Sequence, residues 1–251
     1  MQVSKRKMVI GLTDGCIRIF DRQSLETIKS WTAHKEMVSC LQMDDRVIVS
    51  GSADETVKIW NANTGLLIST VKYHTNGITA LRLKGNTLIT ASRDKSLVVW
   101  TLDINFKVKK SFVKMDRHWW ISSVDFDEKY IVAGSSAKKQ LRLFDTKNGE
   151  ELRVLEGHTL GVSCLSYENG MLISGSYDNT IRIWDIEQGK CVRVLEGHEK
   201  TIRSIRLCGR RIISGCWSGK TKIWNLKNAL EGKEKEKACI QTIHKHTDWR
   251  N

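Results

Sequence analysis

The chain contains no proline among its 251 residues. Proline makes up about 5% of an average protein, so its absence excludes proline-rich linkers and recognition segments. Long hydrophobic runs are also missing, because the longest spans a few residues whereas a membrane helix needs about 20. Residues 1–7 carry charge without an apolar stretch, which does not fit a signal peptide. The sequence therefore predicts no membrane partner.

Paired cysteine motifs are absent as well. The seven cysteines form no C-x-x-C pair, and their number is odd. This pattern disfavours both a zinc site and a secreted disulfide framework. No Asn-x-Ser/Thr acceptor for glycosylation occurs, and no P-loop or other cofactor motif is present. We therefore predict no metal and no cofactor, and a reducing compartment, the cytoplasm and/or the nucleus.

Positive charge is in clear excess. Lys and Arg number 41 against 28 Asp and Glu, for a formal net charge of +13. Such a balance favours acidic partners, among them phosphorylated peptides, acidic proteins, nucleic acid and anionic lipid. No run of five or six like charges marks a basic tail, which disfavours nucleic acid. Charge alone does not choose among the protein partners.

Six segments of alternating polar and apolar residues, each ending near an aromatic residue, recur along the chain. The aromatic residues are spaced by 40 residues, with one interval of 44. They are Phe20, Trp60, Trp100, Phe144, Trp184 and Trp224. A histidine stands 26 residues before five of them. A fixed period over six copies predicts a repeat protein.

Each copy reads as four short strands separated by turns. In the second copy, residues 38–43, 47–51, 56–60 and 66–71 are strand-like, with turn-forming residues between them. Four antiparallel strands in about 40 residues are typical of one blade of a β-propeller. The sequence thus predicts an all-β propeller with six recognisable blades, forming a single domain over residues 1–251. The first and last blades are predicted to be incomplete.

Three copies hold the same four polar residue types at fixed offsets. The three sets are His34, Ser50, Asp54 and Trp60; His74, Thr90, Asp94 and Trp100; and His158, Ser174, Asp178 and Trp184. A buried indole N–H and a buried imidazole need partners, which a chain of hydrogen bonds from Trp to Asp supplies. A hydrolase triad is needed only once, whereas this set recurs. We therefore predict structural tetrads and no catalytic residue.

The other copies depart from this pattern. The sixth copy keeps His198, Ser214 and Trp224 but has Ser218 in place of the aspartate. The fourth copy pairs His118 with Phe144 and shows no clear aspartate, so no tetrad is expected there. Trp119 and Trp120, at the entrance to this copy, are interpreted either as an exposed contact surface or as packing residues.

The motif Glu156-Gly157-His158, followed by residues 174–178 and Trp184-Asp185, resembles WD-repeat proteins, and the resemblance covers nearly the whole chain. The chain is most similar to the propeller of F-box/WD-repeat substrate receptors of the beta-transducin-repeat-containing kind. The closer match is carried by residues 40–52, 124–132, 179–187 and 191–199. The resemblance implies a seven-bladed ring that binds a phosphorylated degron on its top face. It also implies that the ubiquitin-ligase core is recruited by an F-box, which these 251 residues lack.

In such receptors the top face is lined by residues that follow each histidine and by the residue before each turn aspartate. The fifth residues after the histidines include Ser39, Ser163 and Arg203. The receptors use several arginines on this face, whereas this chain has Thr13, Leu160 and Trp249 where arginines are expected. The predicted ligand-binding residues are Arg203, Arg93, Trp217, Tyr177 and Trp249.

Two functions follow as alternatives. The first is a phosphopeptide-reading module, the substrate-recognition propeller of an SCF-type ubiquitin ligase. The second is a general WD-repeat scaffold that assembles protein complexes without dependence on phosphate, since a fold does not fix a function. Nothing in the sequence indicates an enzyme.

Overall fold

A computed structural model describes residues 1–4, 6–115, 119–231 and 238–243. These residues form 24 strands and one short helix, and the strands make six four-stranded antiparallel sheets. The prediction of an all-β fold with six repeats is therefore confirmed. The chain divides into two compact units, Met1–Ile121 and Ser122–Asn251. A single domain over the whole chain stays a prediction.

The first unit holds three sheets, each with its strands in chain order. The first sheet contains β1 (Gln2–Val3), β2 (Lys7–Gly11), β3 (Cys16–Asp21) and β4 (Thr27–Thr32). The second contains β5 (Val38–Met43), β6 (Val47–Ser52), β7 (Thr56–Asn61) and β8 (Leu67–Lys72). The third contains β9 (Ile78–Lys84), β10 (Thr87–Ser92), β11 (Ser96–Leu102) and β12 (Val108–Met115).

The second unit holds three sheets of the same strand order. The fourth sheet contains β13 (Ile121–Phe126), β14 (Tyr130–Ser135), β15 (Gln140–Asp145) and β16 (Glu151–Glu156). The fifth contains β17 (Val162–Glu168), β18 (Met171–Ser176), β19 (Ile181–Asp185) and β20 (Lys190–Leu195). The sixth contains β21 (Ile202–Cys208), β22 (Arg211–Cys216), β23 (Thr221–Asn225) and β24 (Cys239–Ile243), with helix α1 (Leu226–Leu230) before its last strand.

Turn chemistry explains why the strands end where they do. After β7, the Asn61 side-chain oxygen accepts hydrogen bonds from the backbone N–H groups of Asn63 and Thr64, at 2.9 and 2.8 Å. Gly65 then adopts a φ of 69°, which costs little without a Cβ atom. An Asx turn followed by a left-handed glycine reverses the chain and starts the next strand.

Neighbouring sheets pack through a glycine notch, which we define as the space above a glycine of a second strand. A Cβ atom built on Gly51 would lie 2.6 Å from Cγ2 of Ile78, and one built on Gly175 would lie 2.5 Å from Cγ2 of Ile202. Each isoleucine belongs to the first strand of the next sheet. A β-branched side chain thus fills the notch of the preceding sheet, and the glycine is required for this close approach.

The ends of the repeat array differ from the sequence prediction in one respect. The first sheet is incomplete as predicted, because β1 has two residues. The sixth sheet, however, has all four strands, since Cys239–Ile243 resumes the strand pattern after the long connection. The prediction of an incomplete last blade is wrong for this sheet. Within the described ranges, no helix is long and apolar enough to span a membrane.

Candidate functional site

The second sheet shows how the polar residues of a tetrad are placed. His34 precedes β5, Ser50 lies on β6, Asp54 lies in the turn after β6, and Trp60 lies on β7. The Trp60 indole N–H donates to Ser50 Oγ at 2.9 Å, and Ser50 Oγ lies 2.8 Å from Nε2 of His34. Nδ1 of His34 lies 3.0 Å from the Asp54 carboxylate. The four residues tie two strands to two loops.

The third and fifth sheets repeat this geometry. In the third, His74 lies 3.0 Å from Asp94 and 2.8 Å from Thr90, to which Trp100 donates at 2.9 Å. In the fifth, His158 lies 2.8 Å from Asp178 and 2.7 Å from Ser174, to which Trp184 donates at 2.8 Å. The structure therefore brings together every residue of the three predicted tetrads.

The direction of each hydrogen bond follows from donor chemistry. An indole N–H can only donate and an ionised carboxylate can only accept. The hydroxyl therefore accepts from tryptophan and donates to Nε2, while Nδ1–H donates to aspartate. Burial lowers the pKa of His34 and of His74 despite the nearby aspartates, which favours the neutral imidazole.

The aspartates are held in the ionised form. Burial by itself raises the pKa of the Asp54 carboxyl, but the Thr56 hydroxyl, the Lys35 N–H and the His34 ring outweigh burial and lower this pKa to about 2. Thr56 was not predicted to take part, yet its hydroxyl lies 2.7 Å from Asp54 and 3.1 Å from Nδ1 of His34. Hydroxyl residues two positions after Asp94 and Asp178 make the same contacts. This regular spacing is the feature of the sequence from which the role of Thr56 could have been predicted.

The sixth sheet contains an unfinished tetrad. Trp224 donates to Ser214 Oγ at 2.8 Å, and Ser214 Oγ lies 2.7 Å from Nε2 of His198. Nδ1 of His198 is buried and has no hydrogen-bond partner among the described residues. Ser218 instead places its hydroxyl 3.0 Å from Sγ of Cys216. Burial, together with nearby lysine side chains, lowers the pKa of His198 to about 4.

The fourth sheet has no tetrad within its described residues. Phe144 replaces the tryptophan, and Ala133 stands where the other copies have Ser50 or Thr90. The indole donor and the hydroxyl acceptor are therefore lost together, and the two side chains that replace them are apolar and buried. His118 lies outside the described residues.

No described constellation suggests covalent or metal chemistry. Burial raises the pKa values of the Cys40 and Cys164 thiols to about 12, which disfavours their thiolate forms. In the described part of the chain, no three His, Cys, Asp or Glu side chains are grouped so as to hold a metal ion. The polar sets described above are structural in their geometry.

Two of the residues expected on a ligand-binding face have another role. The Ser39 hydroxyl lies 3.0 Å from the Gly51 carbonyl oxygen and also contacts the Ile78 carbonyl of the next sheet. The Ser163 hydroxyl lies 3.0 Å from the Gly175 carbonyl oxygen and also contacts the carbonyl of Ile202. Both serines therefore link neighbouring sheets, which is a correction to their placement on a binding surface.

Arg203 occupies the same position in the sixth sheet and behaves differently. Its guanidinium carbon lies 5.1 Å from the centre of the Trp217 ring, a cation–π distance. Trp217 lies in the turn between β22 and β23, is 70% exposed, and donates its backbone N–H to the Thr201 carbonyl at 2.9 Å. The pair presents guanidinium donors beside an open aromatic face, and we call it the Arg203–Trp217 pair.

The other predicted ligand-binding residues are spread over both units. Tyr177 holds the place of Trp217 in the fifth sheet, where it is 37% exposed and donates its N–H to the Gly161 carbonyl at 3.0 Å. Arg93 is exposed in the turn between β10 and β11 of the first unit. Trp249 lies outside the described residues. Of the five predicted ligand-binding residues, the structure thus brings Arg203 and Trp217 into contact.

Of the two adjacent tryptophans before β13, one fits the interpretation as a packing residue and the other fits the interpretation as an exposed contact surface. Trp119 is 2% exposed and packs in the core, whereas Trp120 is 56% exposed. Successive side chains of an extended segment point to opposite sides, which explains the difference. Only Trp120 is available for contact with a partner.

Comparisons with known proteins agree with this geometry. Residues 25–61, 65–101, 149–185 and 189–225 match the family described as WD domain, G-beta repeat, and together they cover more than half of the chain. Each match ends one residue after a recurring tryptophan.

Among solved structures, the chain is similar to the crystal structure of the computationally designed Ika8 protein. The TM-score is 0.73 at 23% identity, with coverage of 98% of this chain and 86% of that one. At this identity the likeness shows the fold alone. No curated protein sequence matches the chain. Four matched repeats, six sheets of one strand order and three complete tetrads together show that the chain belongs to the WD40 repeat family.

Proposed function

We propose that the chain is a non-enzymatic protein-interaction module that binds acidic or phosphorylated peptides at the Arg203–Trp217 pair. WD40 repeats build surfaces for protein partners, and this pair is the observation that supports a preference for anions. Arginine donates two parallel charge-assisted hydrogen bonds to a phosphate, which a lysine cannot do. The net charge of +13 favours the approach of an acidic ligand.

The finer part of this proposal is a role as substrate receptor of an SCF-type ubiquitin ligase, in a ring of seven blades, in the cytoplasm or nucleus. The resemblance of residues 40–52 and 191–199 supports it. This role predicts that joining the chain to an F-box segment makes a bound phosphoprotein a ubiquitination substrate in a reconstituted ligase. Arg203→Ala should prevent that modification.

Peptide titration tests the binding proposal directly. Doubly phosphorylated peptides and their unphosphorylated counterparts are titrated against the wild type, Arg203→Ala and Arg203→Lys. Hydrogen bonds to charged groups contribute about 1.5–3 kcal/mol, so Arg203→Ala should raise the Kd of a phosphopeptide about tenfold or more. Arg203→Lys should recover part of the loss.

Arg210 supplies a matched control. It is an exposed arginine of the same sheet, in the turn after β21, whereas Arg203 lies near the start of that strand. Arg210→Ala removes the same charge and should leave phosphopeptide binding almost unchanged. Equal affinity for phosphorylated and unphosphorylated peptides contradicts the proposal and favours the alternative, a scaffold without phosphate dependence.

A further inference from the structure

Each complete tetrad surrounds its aspartate with several hydrogen-bond donors. In the fifth sheet, the Asp178 carboxylate accepts from the backbone N–H groups of Thr159 and Thr180, both at 2.9 Å, and lies 2.8 Å from Nδ1 of His158. The aspartates of the second and third sheets accept from the same two backbone positions, at 2.8 to 3.1 Å. We call this place in each sheet the aspartate position, and its donors are arranged to hold a carboxylate.

The turn between β22 and β23 keeps the backbone conformation of this position although its sequence has no aspartate. The Gly219 N–H donates to the Cys216 carbonyl at 3.0 Å, and the Cys216 N–H donates to the Lys220 carbonyl at 3.1 Å. The two corresponding bonds of the fifth sheet are both 3.3 Å long. Gly219 has a φ of 75°, and its counterpart Asn179 has a φ of 67°. The turn therefore directs the Lys220 N–H to the place where the Thr180 N–H meets a carboxylate.

The ring of His198 directs a second donor to the same place. Ser214 Oγ accepts from Trp224 and lies 2.7 Å from Nε2 of His198, but 3.5 Å from the Lys222 carbonyl oxygen. The hydroxyl proton is therefore better placed on Nε2, and the proton of the neutral ring is on Nδ1. His198 is 8% exposed, and its Nδ1 has no hydrogen-bond partner among the described residues. A buried N–H group is thus left without an acceptor.

The charges around this place favour an anion. The positive charges of Lys222 and Lys220 add to burial in lowering the pKa of His198. The Lys220 ammonium lies 2.9 Å from the Glu199 carboxylate, and the Lys222 ammonium lies 2.9 Å from the Thr242 hydroxyl. A carboxylate forms stronger, charge-assisted hydrogen bonds with such donors than a neutral acceptor does.

We propose that the aspartate position of the sixth sheet binds a carboxylate anion, which completes the tetrad of His198. The two carboxylate oxygens accept from Nδ1–H of His198 and from the Lys220 N–H. Ser218 permits this because its hydroxyl contacts Sγ of Cys216, at 3.0 Å, and does not serve His198. The carboxylate comes from a free small anion or from an acidic side chain of a partner protein.

A titration with formate tests the inference, because formate is a carboxylate group without an attached chain. Sodium formate is added to the wild-type chain, with sodium chloride of equal ionic strength as the reference, and the histidine ring protons are followed by NMR. We expect the His198 signals to shift saturably and the pKa of His198 to rise, since a nearby carboxylate favours the protonated ring. The signals of His158, which already contacts Asp178, should not respond.

Two reciprocal variants serve as matched controls. Ser218→Asp supplies the carboxylate within the chain, so the response of His198 to formate should disappear. Asp178→Ser gives the fifth sheet the residue of the sixth, so His158 should now respond. Formate should raise the urea midpoint of the wild type and of Asp178→Ser, because a ligand that binds only the folded chain stabilises it. The midpoint of Ser218→Asp should not change.

A second probe distinguishes the two sources of the carboxylate. Aspartate with an acetylated amino group and an amidated carboxyl group presents the same carboxylate on a peptide backbone. A response of His198 to both probes assigns the site to an acidic side chain of a partner. A response to formate alone assigns it to a free small anion.

Several results would overturn the inference. One is a response to formate no larger than that to chloride, and another is a response that persists in Ser218→Asp. A pKa of His198 above its ordinary value in chloride solution would show that the chain supplies its own acceptor. Arg203→Ala should leave the response unchanged, and its loss in that variant would place the anion at the Arg203–Trp217 pair instead.

Discussion

The guanidinium of Arg203 and the ring of Trp217 lie 5.1 Å apart, joining the first strand of the sixth sheet to the turn after its second strand. This contact holds a flexible cationic side chain against a broad surface. A side chain that is already restricted loses less conformational freedom when a ligand binds. The pair should therefore bind an anion with a smaller loss of conformational entropy than a freely moving surface arginine would.

Removing the ring should weaken peptide binding without removing the charge. A cation–π contact at an exposed site contributes about 0.5–1 kcal/mol, so Trp217→Ala should raise the Kd of a phosphopeptide about threefold. Trp217→Phe should keep most of the affinity. Calorimetric titration measures both, with Trp120→Ala as a control at an exposed tryptophan elsewhere. Unchanged affinity in Trp217→Ala would separate the ring from the binding site.

The tetrad aspartates should matter for stability. Asp178→Ala leaves the buried His158 ring without its acceptor, and we expect a loss of about 1–3 kcal/mol in the free energy of unfolding. Asp54→Ala and Asp94→Ala should behave alike. Ser218→Ala is the matched control, since its hydroxyl does not serve His198, and it should cost little. Denaturant titration gives these values, and equal losses at positions 178 and 218 would contradict the assignment.

Completing the sixth tetrad should stabilise the chain. Ser218→Asp places a carboxylate where Asp178 stands in the fifth sheet, and gives Nδ1 of His198 an acceptor. The expected gain is about 1 kcal/mol in the free energy of unfolding, the typical net contribution of a buried hydrogen bond. The gain should disappear in a His198→Phe background. A gain that persists there would arise from charge alone.

Acid should destabilise the chain through His198. Its pKa in the folded chain is about 4, below the ordinary value of about 6.5, so the unfolded chain binds a proton more readily. The free energy of unfolding should therefore fall as the pH decreases from about 6.5 towards 4. Asp54 contributes in a lower range, because its lowered pKa keeps its contribution intact until the pH falls below about 4.

Urea midpoints measured across that pH range test the effect. Ser218→Asp should raise the folded-state pKa of His198 and flatten the dependence. NMR titration of the His198 ring protons reports the same pKa directly. A wild-type midpoint that does not change with pH between about 6.5 and 4 would contradict this prediction.

The tetrads could be predicted from sequence because their chemistry leaves little choice. Trp60, Ser50, His34 and Asp54 recur at the same offsets in the third and fifth repeats, and each has a donor or acceptor that needs a partner when buried. The repeat period predicts where these residues lie in each copy, and their donor and acceptor groups predict which of them form hydrogen bonds with one another. The role of Thr56 was not predicted, because a hydroxyl residue at the start of a strand also has an ordinary local explanation.

The contacts between sheets could not be predicted in the same way. Ser39 and Arg203 occupy equivalent positions in the repeat, yet one links two sheets and the other lies on an exposed ring. Their roles depend on how closely the next strand approaches, which a pattern of residue types does not encode. Trp119 and Trp120 are identical neighbours, so only the backbone direction decides which of them is buried.

The glycine notches have a consequence for the order in which the sheets of the second unit unfold locally. The fifth sheet packs against the fourth through Val162 and against the sixth through Ile202, whereas a Cβ atom built on Gly215 of the sixth sheet would meet, among the described residues, only Ser204 and Thr221 of that same sheet. Local opening starts where the fewest contacts must be broken. Amide hydrogens of β21–β23 should therefore exchange with solvent before those of β17–β19.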